Sequence, residues 1–233
     1  MFLSALNEGV MKIKSLSLLL TAVAVAVNCT SAIGAHLDNP NLLEDPGFED
    51  PSRFTMDGPP FLGSWEAFSS GSDASSALST SMPRNGASSM QLDIFNSGNQ
   101  FAGAFQDQTI PASVAAGTAV WFSGWHKLVG DTGGSEIRIE WRDSVANVEI
   151  SRTQITDSPV GSDYEEFVLA DTVPAGANLA RVVYAIQSFG GALSQTVYVD
   201  DVNFNIAGVP EPATLAMAGM AALGLIGLRR RAR

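Results

Sequence analysis

One short segment constrains the fold of this chain more than any other, because its residues alternate strictly between charged and apolar side chains. The segment is Glu136–Arg142, in which Ile137, Ile139 and Trp141 occupy every second position. Successive side chains of a β-strand point to opposite faces of the sheet, so this pattern predicts a strand with one buried and one solvated face. Trp141 is therefore predicted to lie in the core.

Similar short runs recur between turn-forming residues, whereas helical periodicity is almost absent between residues 36 and 206. The predicted strands, besides the one above, are Ser89–Phe95, Phe101–Ile110, Ala119–Leu128, Val148–Thr156, Glu165–Ala170, Arg181–Gln187 and Thr196–Asn205, with shorter candidates at Asn41–Leu43 and Trp65–Phe68. The Ser- and Gly-rich stretch 69–81 is predicted to be a long surface loop. This pattern favours an all-β fold, an antiparallel β-sandwich or jelly roll over residues 36–206.

The C-terminal end has three consecutive parts. Residues 213–228 are an apolar run, and a helix of this length rises about 24 Å, enough for a short membrane span. The residues before it are Val209, Pro210, Glu211 and Pro212, and the residues after it include Arg229, Arg230, Arg231 and Arg233. Clustered arginines stop translocation and hold their side of a span in the cytoplasm. The sequence therefore predicts a single C-terminal transmembrane helix with the preceding module outside.

The N-terminal end predicts export. Lys12 and Lys14 precede the apolar run 16–27, and small residues follow at 31–35. This order is typical of a secretory signal peptide, here residues 1–35 with a signal helix, read by the Sec machinery and signal peptidase. Met11 is an alternative start to Met1, because Met11 opens directly onto the two lysines.

The Pro-Glu-Pro triplet, the short span and the terminal arginines together resemble the PEP-CTERM sorting signal of Gram-negative bacteria. The resemblance implies that residues 207–233 are a sorting tail, recognised at Val209–Pro212 by an exosortase-type membrane transpeptidase. It also implies transient anchoring in the inner membrane, followed by a location at the cell surface or in the extracellular matrix with exopolysaccharide and biofilm. The alternative is an ordinary anchor that is never processed.

The module between His36 and Pro210 is strongly acidic. It contains seven Lys or Arg against 22 Asp or Glu, a net charge of −15. Such a charge disfavours nucleic acid and other polyanions as partners and favours neutral partners and divalent cations. The one cysteine, Cys29, leaves with the signal peptide, so no disulfide is predicted.

Several short motifs resemble carbohydrate-binding modules of families 4, 9 and 22, which share a galactose-binding-like jelly roll. They are Asn41–Glu49, Gly63–Trp65, Arg84–Leu92, Phe105–Ile110 with Ala116–Gly117, and Val197–Phe204. The resemblance implies a structural calcium ion held by Glu49 and by Asp200 or Asp201. Calcium suits hard oxygen ligands. The alternative is that these acids cap a loop by accepting hydrogen bonds from backbone amides.

Sugar binding requires aromatic rings for the apolar faces of the sugar. The candidates for ligand binding are Trp65, Trp121, Trp125 and Tyr164. Trp121 and Trp125 have the opposite parity to Phe122, so they are predicted to share the face opposite the core. The alternative for each strand tryptophan is core or inter-sheet packing.

Little in the sequence favours catalysis. His36 and His126 are the two histidines, and neither G-x-S-x-G nor H-E-x-x-H occurs. His126 is predicted to be a hydrogen-bonded sheet residue, and no catalytic residue is assigned. The leading hypothesis is an exported, non-catalytic β-sandwich associated with exopolysaccharide. A carbohydrate-binding module proper is the first alternative, and a polysaccharide hydrolase, which would need two converging carboxylates, is the second.

Overall fold

The structure is a computed structural model, and it describes residues 39–61, 64–96, 98–130, 134–154, 161–188 and 194–208. The chain divides into two units, Met1–Asn39 and Pro40–Arg233, and every described strand belongs to the second. The predicted signal helix, transmembrane helix and sorting tail beyond Gly208 lie outside the described residues. No helix within the described ranges is long and apolar enough to cross a membrane.

The described chain is built from β-strands and one turn of 3-10 helix at Pro51–Arg53. The strands are β1 (Phe54–Thr55), β2 (Trp65–Ser69), β3 (Ala74–Ser79), β4 (Ser89–Ile94), β5 (Phe101–Thr109), β6 (Ala119–Gly130), β7 (Gly134–Asp143), β8 (Val148–Arg152), β9 (Glu165–Thr172), β10 (Leu179–Gln187) and β11 (Gln195–Ile206). The all-β prediction is confirmed, and each of the longer predicted segments contains a strand.

Two sheets form a β-sandwich. The six-stranded sheet has the order β1-β2-β5-β10-β7-β8, and the five-stranded sheet has the order β3-β4-β11-β6-β9. Only the short β1–β2 pair is parallel among the described pairings. Strands β10 and β11, each in the interior of its sheet, are the last two strands in the part of the chain that the structure describes.

The core lies between the two sheets and is rich in aromatic side chains. Phe122 and Phe167 of the five-stranded sheet pack edge-on at 5.5 Å, and Phe167 contacts Tyr184 of the other sheet at 5.3 Å. Tyr184 is completely buried, and its hydroxyl lies 2.7 Å from Nδ1 of the buried His126. Burial of each such ring stabilises the fold by about 2 kcal/mol. His126 is thus a hydrogen-bonded core residue that joins the sheets, as its parity predicts.

The core position predicted for Trp141 is confirmed. Its side chain is 1% exposed, and its indole N–H donates to a carboxylate oxygen of Asp171 at 2.7 Å. Trp141 belongs to the six-stranded sheet and Asp171 to the five-stranded sheet, so this bond ties together the two sheets at one end of the sandwich.

The predicted long loop over residues 69–81 is wrong, because Ala74–Ser79 forms edge strand β3. Serine has low strand propensity, which explains the error. Tertiary hydrogen bonds compensate: the Ser76 hydroxyl donates to the Phe68 carbonyl at 2.8 Å and accepts from the Gly103 amide at 2.8 Å. Strand β3 thereby bridges the edges of the two sheets.

The closing strand β11 departs from simple alternation. Its register against β6 shifts between Asp200 and Asn203, which marks a β-bulge. Val199 is completely buried before the bulge and Phe204 after it, whereas Tyr198 faces the other side of the sheet. A bulge inserts a residue and reverses the parity that follows. Strict alternation along the predicted strand Thr196–Asn205 would put Tyr198 and Phe204 on one face, and the bulge places them on opposite faces.

The chain segment before the first strand is fastened to the end of β11. The amide of Leu42 donates to the Phe204 carbonyl at 2.8 Å. The Asn41 side chain donates to the Val202 carbonyl at 2.9 Å and accepts from the amides of Phe204 and Leu43, both at 3.1 Å. Both ends of the described sandwich therefore lie side by side.

Replacing Asn41 by alanine tests this fastening. The variant removes one donor and one acceptor, so we expect the free energy of unfolding to fall by roughly 1–3 kcal/mol. Urea denaturation followed by tryptophan fluorescence measures the change. Ser113→Ala, at an exposed loop position, is the control and should be neutral. Equal stability of Asn41→Ala and wild-type protein would contradict the role of this side chain.

Candidate functional site

The outer face of the six-stranded sheet carries an unusual concentration of charged and aromatic side chains. Strand register places Arg181 of β10 directly opposite Asp107 of β5 on one side and Glu140 of β7 on the other. Glu140 is 5% exposed and Asp107 is 7% exposed, although both project away from the core. Buried charges require partners, so the arrangement of this face is fixed by its ion pairs. We call it the Phe–Arg face.

Arg181 is the centre of the Phe–Arg face. Its Nε and one terminal nitrogen donate to the two carboxylate oxygens of Asp107 at 2.7 and 3.0 Å, a bidentate pair. Its guanidinium carbon lies 3.9 Å from the ring centroid of Phe105 and 5.1 Å from that of Phe61. A guanidinium both paired and stacked has little freedom, so Arg181 presents its remaining N–H groups in one orientation.

A second arginine organises the β7 side of the same face. Arg138 lies between Glu136 and Glu140 on its own strand, donating from Nε to Glu140 at 2.8 Å and from a terminal nitrogen to Glu136. The Gln187 side-chain amide also donates to Glu136. These planar groups keep free hydrogen-bonding capacity, because neither the carboxylates nor the guanidinium use all their lone pairs or N–H groups in these contacts.

The ion-pair network continues to the sheet edge. Arg152 of β8 makes a bidentate pair with Glu149, with both N···O distances 2.6 Å. This hydrogen bonding lowers the pKa of the Glu149 carboxyl. A terminal nitrogen of Arg142 lies 3.7 Å from a carboxylate oxygen of Glu140 and 3.8 Å from one of Glu149. Arg142 therefore connects the Arg152–Glu149 pair to Glu140.

Aromatic rings cover the β2–β5 side of the Phe–Arg face. The Phe68 ring lies 6.1 Å from that of Phe101 and 6.2 Å from that of Phe105. Gly103 makes this row possible, because a Cβ there would lie 2.5 Å from the Phe68 ring and 2.7 Å from the Ala185 methyl carbon. Phe101 is 40% exposed, so its ring is accessible to a ligand.

The aromatic residues predicted to bind ligand lie elsewhere. Trp65 is completely buried, with its ring 5.1 Å from Phe48, and its indole N–H donates to the Asp45 carbonyl at 3.3 Å. It is a core residue, so its assignment to a ligand surface is wrong. Trp121 and Trp125 are partly exposed on the outer side of β6, opposite to the buried Phe122, as their parity predicts.

The Trp125 ring is not available for stacking against a sugar, because the guanidinium of Arg84 lies over it. The guanidinium carbon of Arg84 lies 3.9 Å from the Trp125 centroid, and the same guanidinium pairs with Asp201. Tyr164 is held by donation from its hydroxyl to the Met82 carbonyl at 2.6 Å, and burial raises its pKa to about 12. The predicted aromatic set is therefore divided between the core and the outer side of the five-stranded sheet.

The three acids predicted to bind calcium hold the loop between β3 and β4 directly. The Glu49 carboxylate accepts from the amides of Ala87 and Ser88 at 2.9 and 3.2 Å. Gly86 is needed here: its φ is +65°, and a Cβ there would collide with the Glu49 carboxylate at 2.1 Å.

Asp200 rather than Asp201 is the buried acid, which parity alone did not decide, and it lies under the β3–β4 loop on the same side of the sheet as its partner Trp125. Asp200 is completely buried, and one carboxylate oxygen accepts from the amides of Arg84 and Asn85 at 2.7 and 3.2 Å. Burial raises the pKa of the Asp200 carboxyl, and these amide bonds offset part of that effect. Asp201, with a φ of +47°, turns outward to Arg84 and Asn85.

These residues as arranged do not fit a calcium ion. The carboxylate oxygens of Glu49 and Asp200 face positively polarised N–H groups, which would repel a cation. Across the described ranges no group of three or more His, Cys, Asp or Glu side chains could hold a metal. Their geometry favours the loop-capping alternative, and calcium binding stays a prediction.

Comparing the melting temperature in excess EDTA with that in excess CaCl2 tests whether these acids cap the loop or bind calcium. If backbone amides satisfy the acids, we expect the same melting temperature in both. A bound ion at one hundred times its Kd would instead stabilise the fold by about 2.7 kcal/mol. A calcium-dependent rise that disappears in Glu49→Gln, with Asp57→Asn as an exposed control, would contradict the loop-capping assignment.

Sequence reasoning missed the Phe–Arg face. The alternating charges of β7 are visible in the sequence, but by themselves they predict an ordinary solvent-exposed face. The sequence does not show which strand pairs with β7. Their burial follows from the pairing of β7 with β10. The small residues between aromatic residues at Phe101–Phe105 are the one local signal that could have indicated a packed outer surface.

Solved structures with the same architecture include several carbohydrate-binding-module β-sandwich domains. The enzymatically active domain of bacteriophage CBA120 tailspike protein 4 superposes with a TM-score of 0.54 and 19% identity, covering 71% of this chain and 21% of that chain. A Bacteroides thetaiotaomicron VPI-5482 protein, described as a sugar-binding candidate, gives a TM-score of 0.50 and 11% identity, covering 72% and 100%.

The CBM22-1 xylan-binding domain of Paenibacillus barcinonensis Xyn10C matches with a TM-score of 0.48 and 16% identity, covering 74% of this chain and 97% of that one. This chain spans only about a fifth of the tailspike chain. The superpositions with TM-scores of 0.54 and 0.50 show that the fold is shared, and at identities of 19% and 11% they show nothing about ligands. No curated protein matches the sequence.

The C-terminal end matches a family model described as the PEP-CTERM protein-sorting motif, over residues 208–231. The match includes Pro210, Glu211, Pro212 and the first arginines of the terminal cluster. It confirms the sorting signal recognised in the sequence, which implies export and processing at a membrane by an exosortase. The chain therefore joins a β-sandwich to a C-terminal PEP-CTERM protein-sorting motif.

Proposed function

We propose that this protein is sorted by an exosortase to the cell surface or extracellular matrix, where its non-catalytic sandwich binds neutral polysaccharide through the Phe–Arg face. The observation that carries the proposal is the combination on one sheet face of an exposed ring, Phe101, with fixed polar groups at Arg138, Arg181 and Gln187. Association with exopolysaccharide and biofilm follows from this binding.

The chemistry of the Phe–Arg face suits a sugar polymer. A pyranose ring presents C–H groups on its faces and hydroxyls around its edge, so it pairs with an aromatic ring and with planar hydrogen-bonding groups. Phe101 supplies the ring, and Arg138, Gln187 and Glu136 supply donors and acceptors within the same sheet. Ligand sites commonly combine apolar walls with a few oriented polar groups.

Neutral glycans suit this face better than acidic ones. Each of its arginines is already paired with a carboxylate, and several of these carboxylates are nearly buried. An incoming uronate would have to displace such a carboxylate and leave it unpaired, which costs several kcal/mol. The net charge of −15 on the module opposes polyanions further.

The arrangement of the acids on the Phe–Arg face supports a binding role more than it supports the hydrolase alternative. Glu136 and Glu140 both pair with Arg138, so their carboxyl groups lie close together although their backbones are about 13 Å apart. Glycosidases place their two carboxyl groups roughly 5–9.5 Å apart and keep one of them protonated. Arg138 pairs with both acids, so the two carboxyl groups lack the difference in environment that would separate a general acid from a general base.

Phe101→Ala tests the ligand face. We expect it to weaken binding to a neutral β-1,4-linked glucan or xylan by roughly five- to thirty-fold, because a stacked aromatic contact is lost. Affinity electrophoresis through gels containing a neutral polysaccharide or an acidic polyuronate measures binding. Trp121→Ala, which removes a partly exposed ring from the other sheet, is the matched control. Loss of binding in Trp121→Ala but not in Phe101→Ala would reject the Phe–Arg face.

Replacing both Pro210 and Glu211 by alanine tests sorting. We expect the wild-type protein from its native host to lack Arg229–Arg233 and the double variant to keep them and stay with the membrane fraction. Intact mass and C-terminal peptide mapping of membrane and extracellular fractions measure this. Pro51→Ala, at an exposed position outside the motif, is the control and should be processed normally. Unchanged release of the double variant would contradict the assignment.

A further inference from the structure

The end of the sandwich at which β11 finishes is formed by four chain segments that contact one another. The amide of Ala207 donates to the Ala119 carbonyl at 2.9 Å, and that of Gly117 to the Val173 carbonyl at 2.8 Å. The Ser144 amide donates to the Asn178 side chain at 2.8 Å. We call this surface the tail pole; its segments are residues 110–118, 144–147, 173–178 and 207–208.

The tail pole is free of charge in a module that is strongly acidic. None of the residues in its four segments is Asp, Glu, Lys or Arg. Its most exposed apolar residue is Val145 at 89%, at the tip of the β7–β8 turn, and Ala115 is exposed on the neighbouring loop. Two acids flank the tail pole: Asp171 accepts from Trp141, and Asp143, whose pKa is lowered by hydrogen bonds from the amides of Ala146 and Val145, keeps its charge beside the β7–β8 turn.

The sorting motif is tied closely to this surface. Ile206 is completely buried, Ala207 is hydrogen-bonded, and the family match begins at residue 208. Four residue steps from Ile206 to Pro210 span at most about 14 Å. Electrostatic screening in physiological salt acts over about 8 Å, so charges on the tail pole are largely screened at full extension of the linker and interact with a membrane surface at shorter separations.

We propose that the tail pole lies against the anionic phospholipid surface while the sorting motif is processed, and that its uncharged loops allow an acidic module to approach that surface. This inference rests on the proposed sorting and adds the interaction surface and its partner. Phospholipid headgroups repel acidic protein surfaces and attract basic ones. The short linker keeps the tail pole within about 14 Å of the sorting motif, and the absence of acids in the four segments reduces the repulsion that closer approach would otherwise cause.

The test changes the charge of the tail pole in the full-length protein in its native host. One variant carries Val145→Glu with Ala115→Glu, and its counterpart carries Val145→Lys with Ala115→Lys. Val129→Glu is the matched control, because Val129 is 44% exposed at the opposite end of β6. Pulse-chase labelling with C-terminal peptide mapping gives the rate at which the tail is lost. Equal melting temperatures establish that all variants are folded.

We expect the double Glu variant to lose its tail several-fold more slowly than the wild type, and the double Lys variant at an equal or higher rate. Insertion of a flexible Gly/Ser linker after Gly208 should restore the rate of the Glu variant. Equal slowing by Glu and Lys would overturn the inference in favour of a protein contact, and no effect of either would also overturn it. Retention of the tail by the wild-type protein would overturn the proposed sorting, and this inference with it.

Discussion

Strand β11 is the element on which the rest of the sandwich depends. It lies at the centre of the five-stranded sheet, between β4 and β6, and its final residues also hold the segment at Asn41 and Leu42. It is also the last strand of the described chain, and the sorting motif follows it directly in the sequence. The sheet cannot close before the whole module has been exported, so completion of the fold and arrival of the tail at the membrane are coupled by chain order alone.

Charge is distributed over this fold in a way that composition does not reveal. Four of the seven basic residues between His36 and Pro210, namely Arg138, Arg142, Arg152 and Arg181, lie on the outer face of the six-stranded sheet, each near a carboxylate. Cross-strand pairs of opposite charge stabilise a sheet modestly, and removal of one partner of a nearly buried pair is costly. The network therefore makes this face rigid and locally neutral within an acidic protein.

The features predicted correctly from the sequence are those that depend on the alternation of side chains within one strand. Strand positions, the core placement of Trp141 and the outward side of Trp121 all follow from parity within one strand. What failed depended on neighbours: the bulge at Asp200 reversed parity midway along β11, and Arg84 reached across from another loop to cover Trp125. The Phe–Arg face escaped prediction for the same reason, since Arg181, Asp107 and Glu140 are brought together by strand order rather than by spacing in the chain.

The direction of the strands relates the two proposed surfaces. Leu179 directly follows a segment of the tail pole, whereas Phe101 and Gln187 are paired at the far end of the same sheet. Strand β10 has nine residues and spans about 27 Å between these ends. With the tail pole against the membrane, Phe101 stands away from the lipid by about that distance, and the Phe–Arg face is directed sideways along the cell surface. A polymer lying over the membrane could therefore bind before the tail is cut, so ligand binding and sorting do not compete for the same surface.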